Sequence, residues 1–236
     1  MTRTSEGTFQ GRLGPILDRA VALPSATIHH RVDDIRRAVP DATPAEVIQI
    51  LENRFRSRAA RNGGLVGLLA AFPALGTGVA FLLTGAQVTS FLKDTALHVM
   101  AVADVHGVPI DDLERRRSLL LASLLGEEGA TAVQTQLGVG SLYWGRTLLT
   151  RLPLGTVKAV NRVLRQRAMR KSAEVGARAL LGRLLPFGIG AVIGYTAGRA
   201  MGKEVITGAR DAFGPPPTAF SRRVGEVSRI AQVVVT

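Results

Sequence analysis

The chain has 236 residues, 46% of them hydrophobic, with 26 glycines, only eight Phe, two Tyr and one Trp, and no cysteine. That length suffices for one large domain, and the missing cysteine excludes disulfides, thiolate nucleophiles and Cys-ligated metal or iron–sulfur sites. Of the net charge of +12, residues 129–203 contribute +11, with twelve Lys/Arg against one Glu, an asymmetry that points to an anionic partner.

The first residues, "MTRTSEGTFQGRLG", have no apolar run after the early charges. They do not read as a secretory signal, so the N-terminal part is expected in the cytoplasm. In "SATIHHRVDDIRRAVP", Ile28, Val32, Ile35 and Val39 recur at helical spacing, which predicts a helix capped by Ser25 and ended by Pro40. "TPAEVIQILENRFRSRAAR" predicts a second helix. Thr43 caps it, Pro44 takes the first helical position and Glu46 completes a capping box. His29 and His30 are expected to be exposed.

No ionisable residue occurs from Asn62 to Leu92. The core of this stretch, "GGLVGLLAAFPALGTGVAFLLTGA", would be ~36 Å long as one straight helix, against a hydrocarbon core of ~30 Å. Pro73, Gly76 and Gly78 interrupt it. The expectation is two short helices meeting near 73–78, as a kinked span, a re-entrant hairpin or a buried soluble hairpin. A helix then continues to about His106, where "HGVP" ends it. "IDDLERRRSLLLASLLG" follows as a helix with Asp111 and Asp112 in its first turn, then a short helix and a Gly-broken one. Tyr143, Trp144 and Arg146 form an aromatic-plus-cation grouping of the kind seen at membrane interfaces.

The segment 154–185 is helical by propensity. Arg146, Arg151, Lys158, Arg162, Arg165, Arg170 and Lys171 are the candidate anionic-lipid contacts. On a helical wheel the basic residues of 158–183 do not make one clean face. The last predicted helix, from about Phe187 to Phe213, contains "GAVIGYTAGRAMG" with Gly190, Gly194, Gly198 and Gly202 four apart. Exposed helical glycine costs about 1 kcal/mol relative to alanine, so a four-glycine stripe implies close approach of a neighbouring helix. Gly63 and Gly67 repeat the spacing, and the two segments are expected to pack together. "GPPP" ends the helix before a C-terminal tail with weak strand character in "AQVVV".

The fold class expected is all-α: a multi-helix bundle with two Gly-rich apolar segments packed together. Residues 1–62 form N-terminal amphipathic helices, 63–213 the principal domain and 214–236 a Pro-led tail. The segments "GLVGLLAAFPALGTGVAFLLTGAQVTSFLKDTALHVMAVADVHG", "LERRRSLLLASLLG" and "LLPFGIGAVIGYTAG" resemble the EcsC-like family of bacterial proteins over roughly residues 60–213. The resemblance implies an α-helical, membrane-associated protein with no established activity, and it supplies no catalytic residue. A similar pattern accompanies some bacterial GTPases, but this chain has no phosphate loop.

Nucleophile-elbow, zinc-helix and dinucleotide signatures are missing. The best polar constellation is Asp94, His98, Asp104 and His106. Asp94 and His98 are four apart, as metal ligands or a proton-relay pair on one helical face would be, but a structural role is the favoured reading. No metal or cofactor is expected.

The leading expectation is a non-enzymatic protein at the cytoplasmic membrane, touching anionic lipids and other membrane proteins, in a scaffolding or transporter-support role. The alternatives are a soluble cytoplasmic binding module for nucleic acid or an acidic partner, and a helical hydrolase or metal enzyme. The basic region has no interleaved aromatics for base stacking, which disfavours nucleic acid.

Overall fold

The computed structural model describes the backbone of residues 14–70, 77–137, 143–182 and 189–225, and side chains for 14–63, 86, 88–136, 143–170 and 195–225. Among the described residues the chain is all-α, with nine helices and no strand. These are α1 (14–21), α2 (Ser25–Ala38), α3 (Pro44–Ala70), α4 (Thr77–Val105), α5 (Leu113–Leu125), α6 (Glu127–Leu137), α7 (Trp144–Thr150), α8 (Leu154–Gly182) and α9 (Ile189–Phe213). "AQVVV" lies outside the described residues.

Local chemistry sets most helix ends. At α3 the capping box forms: Thr43 N donates to Glu46 Oε2 at 2.7 Å and Glu46 N donates to Thr43 Oγ1 at 3.3 Å, satisfying two orphan donors of the first turn. Gly107 ends α4 with φ of +69°, while Val108 N donates back to Ala103 O at 3.0 Å, a left-handed stop that glycine allows. Two expected ends differ. Ser25 is the first residue of α2 rather than its cap, because its hydroxyl is drawn to Asp111 Oδ1 at 2.8 Å and to Arg116. Asp112 is the N-cap of α5, accepting from Arg115 N at 2.8 Å, so neither Asp111 nor Asp112 lies in the first turn.

The apolar stretch also differs from two short helices. Residues 63–70 continue the Pro44 helix without a break, and α4 runs 29 residues from Thr77 into the core. Each Gly-rich segment is thus the distal end of a long helix whose other end is anchored. Pro73, with the rest of residues 71–76, lies outside the described residues.

The core is built around α5, which buries Leu119, Leu120, Leu121, Ala122 and Leu125 against α4, α8 and α9. The second half of α5, apolar on nearly all sides, belongs at the centre of a bundle. α3 and α9 form the most extensive pairing and run antiparallel: Gly198 faces Ala59 and Gly63, and Gly202 faces Ala59 and Arg56. Gly208 seats α9 on Ser123 of α5 in the same way. Small residues therefore substitute for aromatic bulk by letting helix backbones close in. Trp144, expected near a membrane interface, is instead 1% exposed in the core.

The tail after α9 folds back over α2 and the end of α4. Arg222 Nη2 lies 2.9 Å from Asp33 Oδ1 and 3.0 Å from Asp104 Oδ2, and Nη1 donates to Asp33 Oδ2 at 3.1 Å. His29 Nδ1 pairs with Asp104 Oδ1 at 2.8 Å, so His29 is half-buried and not the exposed residue expected. Arg36 donates to Arg222 O at 2.7 Å and lies 3.9 Å from the centre of the Phe220 ring. Burial pushes the Asp104 carboxyl up, but hydrogen bonds with His29 and Arg222 outweigh it and hold it below its usual range.

Candidate functional site, a cationic cleft on α8

α8 begins after Pro153 and buries Val157, Val160, Asn161 and Leu164 toward α5. The flank of α8 beside this buried stripe carries Lys158, Arg162 and Arg165, all exposed, at i, i+4 and i+7. These three share one side of the helix and line a cleft of about 530 Å³ between α1, α5 and α8. The clean cationic face absent from the whole 158–183 stretch is present in these three.

The acids of the cleft are already engaged. Arg117 spans it, 2.6 Å from Asp18 Oδ1 and 2.7 Å from Glu114 Oε1. Asn161 Nδ2 donates to Glu114 Oε2 at 2.9 Å, and Ser118 Oγ donates to Asn161 Oδ1 at 2.8 Å. Lys158, Arg162 and Arg165 make no ion pair or hydrogen bond with another described residue. Leu17 and Leu121 supply an apolar floor and Met169 a half-buried edge. The arrangement is cationic along one side and apolar at its base, and among the described residues it holds no nucleophile with an adjacent base.

The other candidate lipid contacts are elsewhere. Arg146, on α7, lies with Nη2 3.1 Å from His106 Nδ1, and Arg151 caps the end of α7. Arg170 is exposed on α8 beyond the cleft lining, and the side chain of Lys171 lies outside the described residues. Of the glycines, Gly198, Gly202 and Gly63 lie at the α3–α9 crossing. The contacts of Gly190, Gly194 and Gly67 lie outside the described residues.

The four polar residues of α4 do not converge. Asp94 pairs with Arg58 at 3.4 Å, Asp104 belongs to the Arg222 clasp, and His106 stacks on Phe213 with ring centroids 5.4 Å apart. Burial, then the Arg146 charge, holds His106 down to about 4. His98 points into the core, stacked on Phe55 at 4.6 Å with the rings 7° apart. Neither ring nitrogen has a hydrogen-bond partner. No group of three or more His, Asp or Glu among the described residues is placed to hold a metal ion. A second cavity of about 480 Å³ is lined by Glu52, His106 and Arg210. Glu52 there is held by Arg210 at 2.6 and 2.7 Å, so the one arginine of its lining is already engaged, and Asp211 adds a further acid.

Burial, reinforced by the Arg31 charge, holds His98 down to about 3. The native imidazole then refuses a proton that the unfolded chain accepts below about pH 6.5, so stability is full above that pH and falls as acid is added. The expected loss from this residue is about 2 kcal/mol by pH 5. His98→Phe keeps a flat ring against Phe55 and removes two buried, unbonded polar atoms. Urea unfolding should show a gain of about 1 kcal/mol at pH 7 and a shallower decline toward pH 5. An unchanged pH profile would contradict this assignment.

The Arg117–Asp18 pair and the Arg222 clasp escape sequence reasoning, because their partners lie 99 and 118 to 189 residues away. The Lys158–Arg162–Arg165 spacing is a signal the sequence does contain. The chain matches no protein-family model, no curated protein and no solved structure. The likeness to the EcsC-like family therefore rests on the quoted segments alone.

Proposed function

We propose that the protein is a non-enzymatic helical module that docks on an anionic membrane surface through the cationic side of α8. No helix among the described residues is long and apolar enough to cross a membrane, and the proposal needs no spanning helix. The observation that carries it is the set of three exposed cations, Lys158, Arg162 and Arg165, beside acids already held by Arg117 and Asn161. Each basic residue close to an anionic lipid surface contributes about 1 kcal/mol. The Gly-rich helices and their likeness to the EcsC-like family support membrane association, and scaffolding or transporter support are the roles that fit it.

Vesicle sedimentation tests this directly. The protein is expected to pellet with phosphatidylglycerol-containing vesicles, not with pure phosphatidylcholine, and to be released by salt. Combining Lys158→Ala, Arg162→Ala and Arg165→Ala should weaken binding by about 3 kcal/mol, roughly a hundredfold. These side chains are exposed, so the helical circular dichroism should not change. Binding to duplex DNA with none to vesicles would overturn the proposal in favour of nucleic acid.

A further inference from the structure

We infer that the cleft between α1, α5 and α8 binds a phosphate monoester carried on an apolar chain. The inference rests on the membrane-surface reading of the same residues and names the chemistry they select. Among the described residues the cleft holds four cations, Arg117, Lys158, Arg162 and Arg165, against two acids, Asp18 and Glu114. Both acids are consumed by Arg117, and Glu114 also accepts from Asn161. What remains is a cluster of like charges along two turns of one helix, destabilising unless an anion joins it.

A phosphate monoester carries about −1.5 to −2 charges at pH 7 and three terminal oxygens. A phosphodiester headgroup carries a single charge. Three cations along one side of a helix therefore favour the monoester over the diester, and two arginines can each grip oxygens in a fork. The polar back wall is not available to the ligand, because Ser118, Asn161 and Glu114 bond to one another.

The side of α8 that carries the cations then changes character. After 158, 162 and 165 the next position on that side is Met169, half-buried at the edge of the same cleft, with Leu17 and Leu121 in its floor. An amphipathic anion has a charged end to set against the cations and an apolar end to set against Met169. At about 530 Å³ the space lies within the range of small-molecule sites, roughly 300–1,000 Å³. The ligand could arrive within a bilayer or as a free amphiphile, and the chemistry of recognition is the same.

Calorimetry with full-length protein and monomeric short-chain lipids decides the matter. Dihexanoyl phosphatidic acid should bind one to one, at least about tenfold tighter than dihexanoyl phosphatidylglycerol or glycerol 3-phosphate, a difference of about 1.4 kcal/mol. Its affinity should fall on going from pH 7.5 to 5.5 as the monoester takes up its second proton near pH 6. Arg162→Ala should weaken it about tenfold, and Gln166→Glu, which places an acid in the cleft, should do the same. Equal affinity for the monoester and the diester overturns the inference. Equal affinity with and without the acyl chains overturns the apolar half of it and so the inference as stated. Sedimentation with phosphatidylglycerol vesicles is read in parallel. Failure there removes the surface-docking reading, whereas failure of the calorimetric selectivity removes only the monoester site. Preference for phosphatidic acid over phosphatidylglycerol vesicles at equal surface charge identifies the bilayer as the source. Selective binding of the monomeric lipid alone identifies a free amphiphile.

Discussion

Replacing Arg222 with alanine is expected to destabilise the protein by about 3–5 kcal/mol, because it leaves two buried carboxylates without their cation. Asp33 is 2% exposed and Asp104 is 9% exposed, and both lean on the same guanidinium. His29 still reaches Asp104, and the Gly225 amide still reaches Asp33 Oδ2 at 2.9 Å, but neither supplies a permanent charge. Urea unfolding at pH 7 measures the loss. Its pH dependence is diagnostic. In the native protein Asp104 has a depressed pKa, so its contribution is full above about pH 4 and lost as pH falls further. The variant's deficit should then shrink as pH falls below about 4, where the native contribution of Asp104 is itself lost. Arg222→Lys should recover part of the loss, since a point charge cannot fork across both carboxylates. A loss under about 1 kcal/mol at pH 7 would mean that the tail contributes no clasp.

Gly198→Ala is the second large effect. A Cβ at this position would approach the Ala59 carbonyl oxygen well inside van der Waals contact and lie 3.1 Å from the Gly63 Cα. Both obstacles are backbone, so no rotamer change relieves them and α3 must move away from α9. The expected net loss is about 2–4 kcal/mol, over-packing less the gain of about 1 kcal/mol in helix propensity. Gly202→Ala is the control one turn further along. Its Cβ would meet the Ala59 methyl at 3.1 Å, a contact that a small shift relieves, and the Arg56 Cα at an ordinary 3.8 Å. That variant should lie within about 1 kcal/mol of the native protein. Thermal melting of the two variants side by side tests the contrast. Equal effects would show that glycine content, and not the α3–α9 approach, sets the stability. Gly198→Ala should also leave vesicle binding in place while the fold persists, because the cationic side of α8 is elsewhere.

Periodicity, capping residues and composition determined the helical class, the Thr43–Glu46 start of α3, the stop at Gly107 and the end of α9 before Gly214. Each depends on neighbours within about five residues, where backbone hydrogen-bond chemistry is local. The same local information placed Lys158, Arg162 and Arg165 at one helical spacing. It did not say which side of α8 is buried, and so could not separate these three from Arg167, whose Nη1 turns to Glu128 O at 3.0 Å. Nor could it reveal that Asp94, His98, Asp104 and His106, crowded in sequence, serve four separate surroundings. Only the tertiary structure decided that Trp144 belongs to the core, that Arg117 neutralises the acids of the cleft, and that Arg222 closes on Asp33 and Asp104. The physical reason is common to all three. Burial and charge pairing depend on which helices meet, and those meetings join residues up to 193 positions apart, for which helical spacing carries no information.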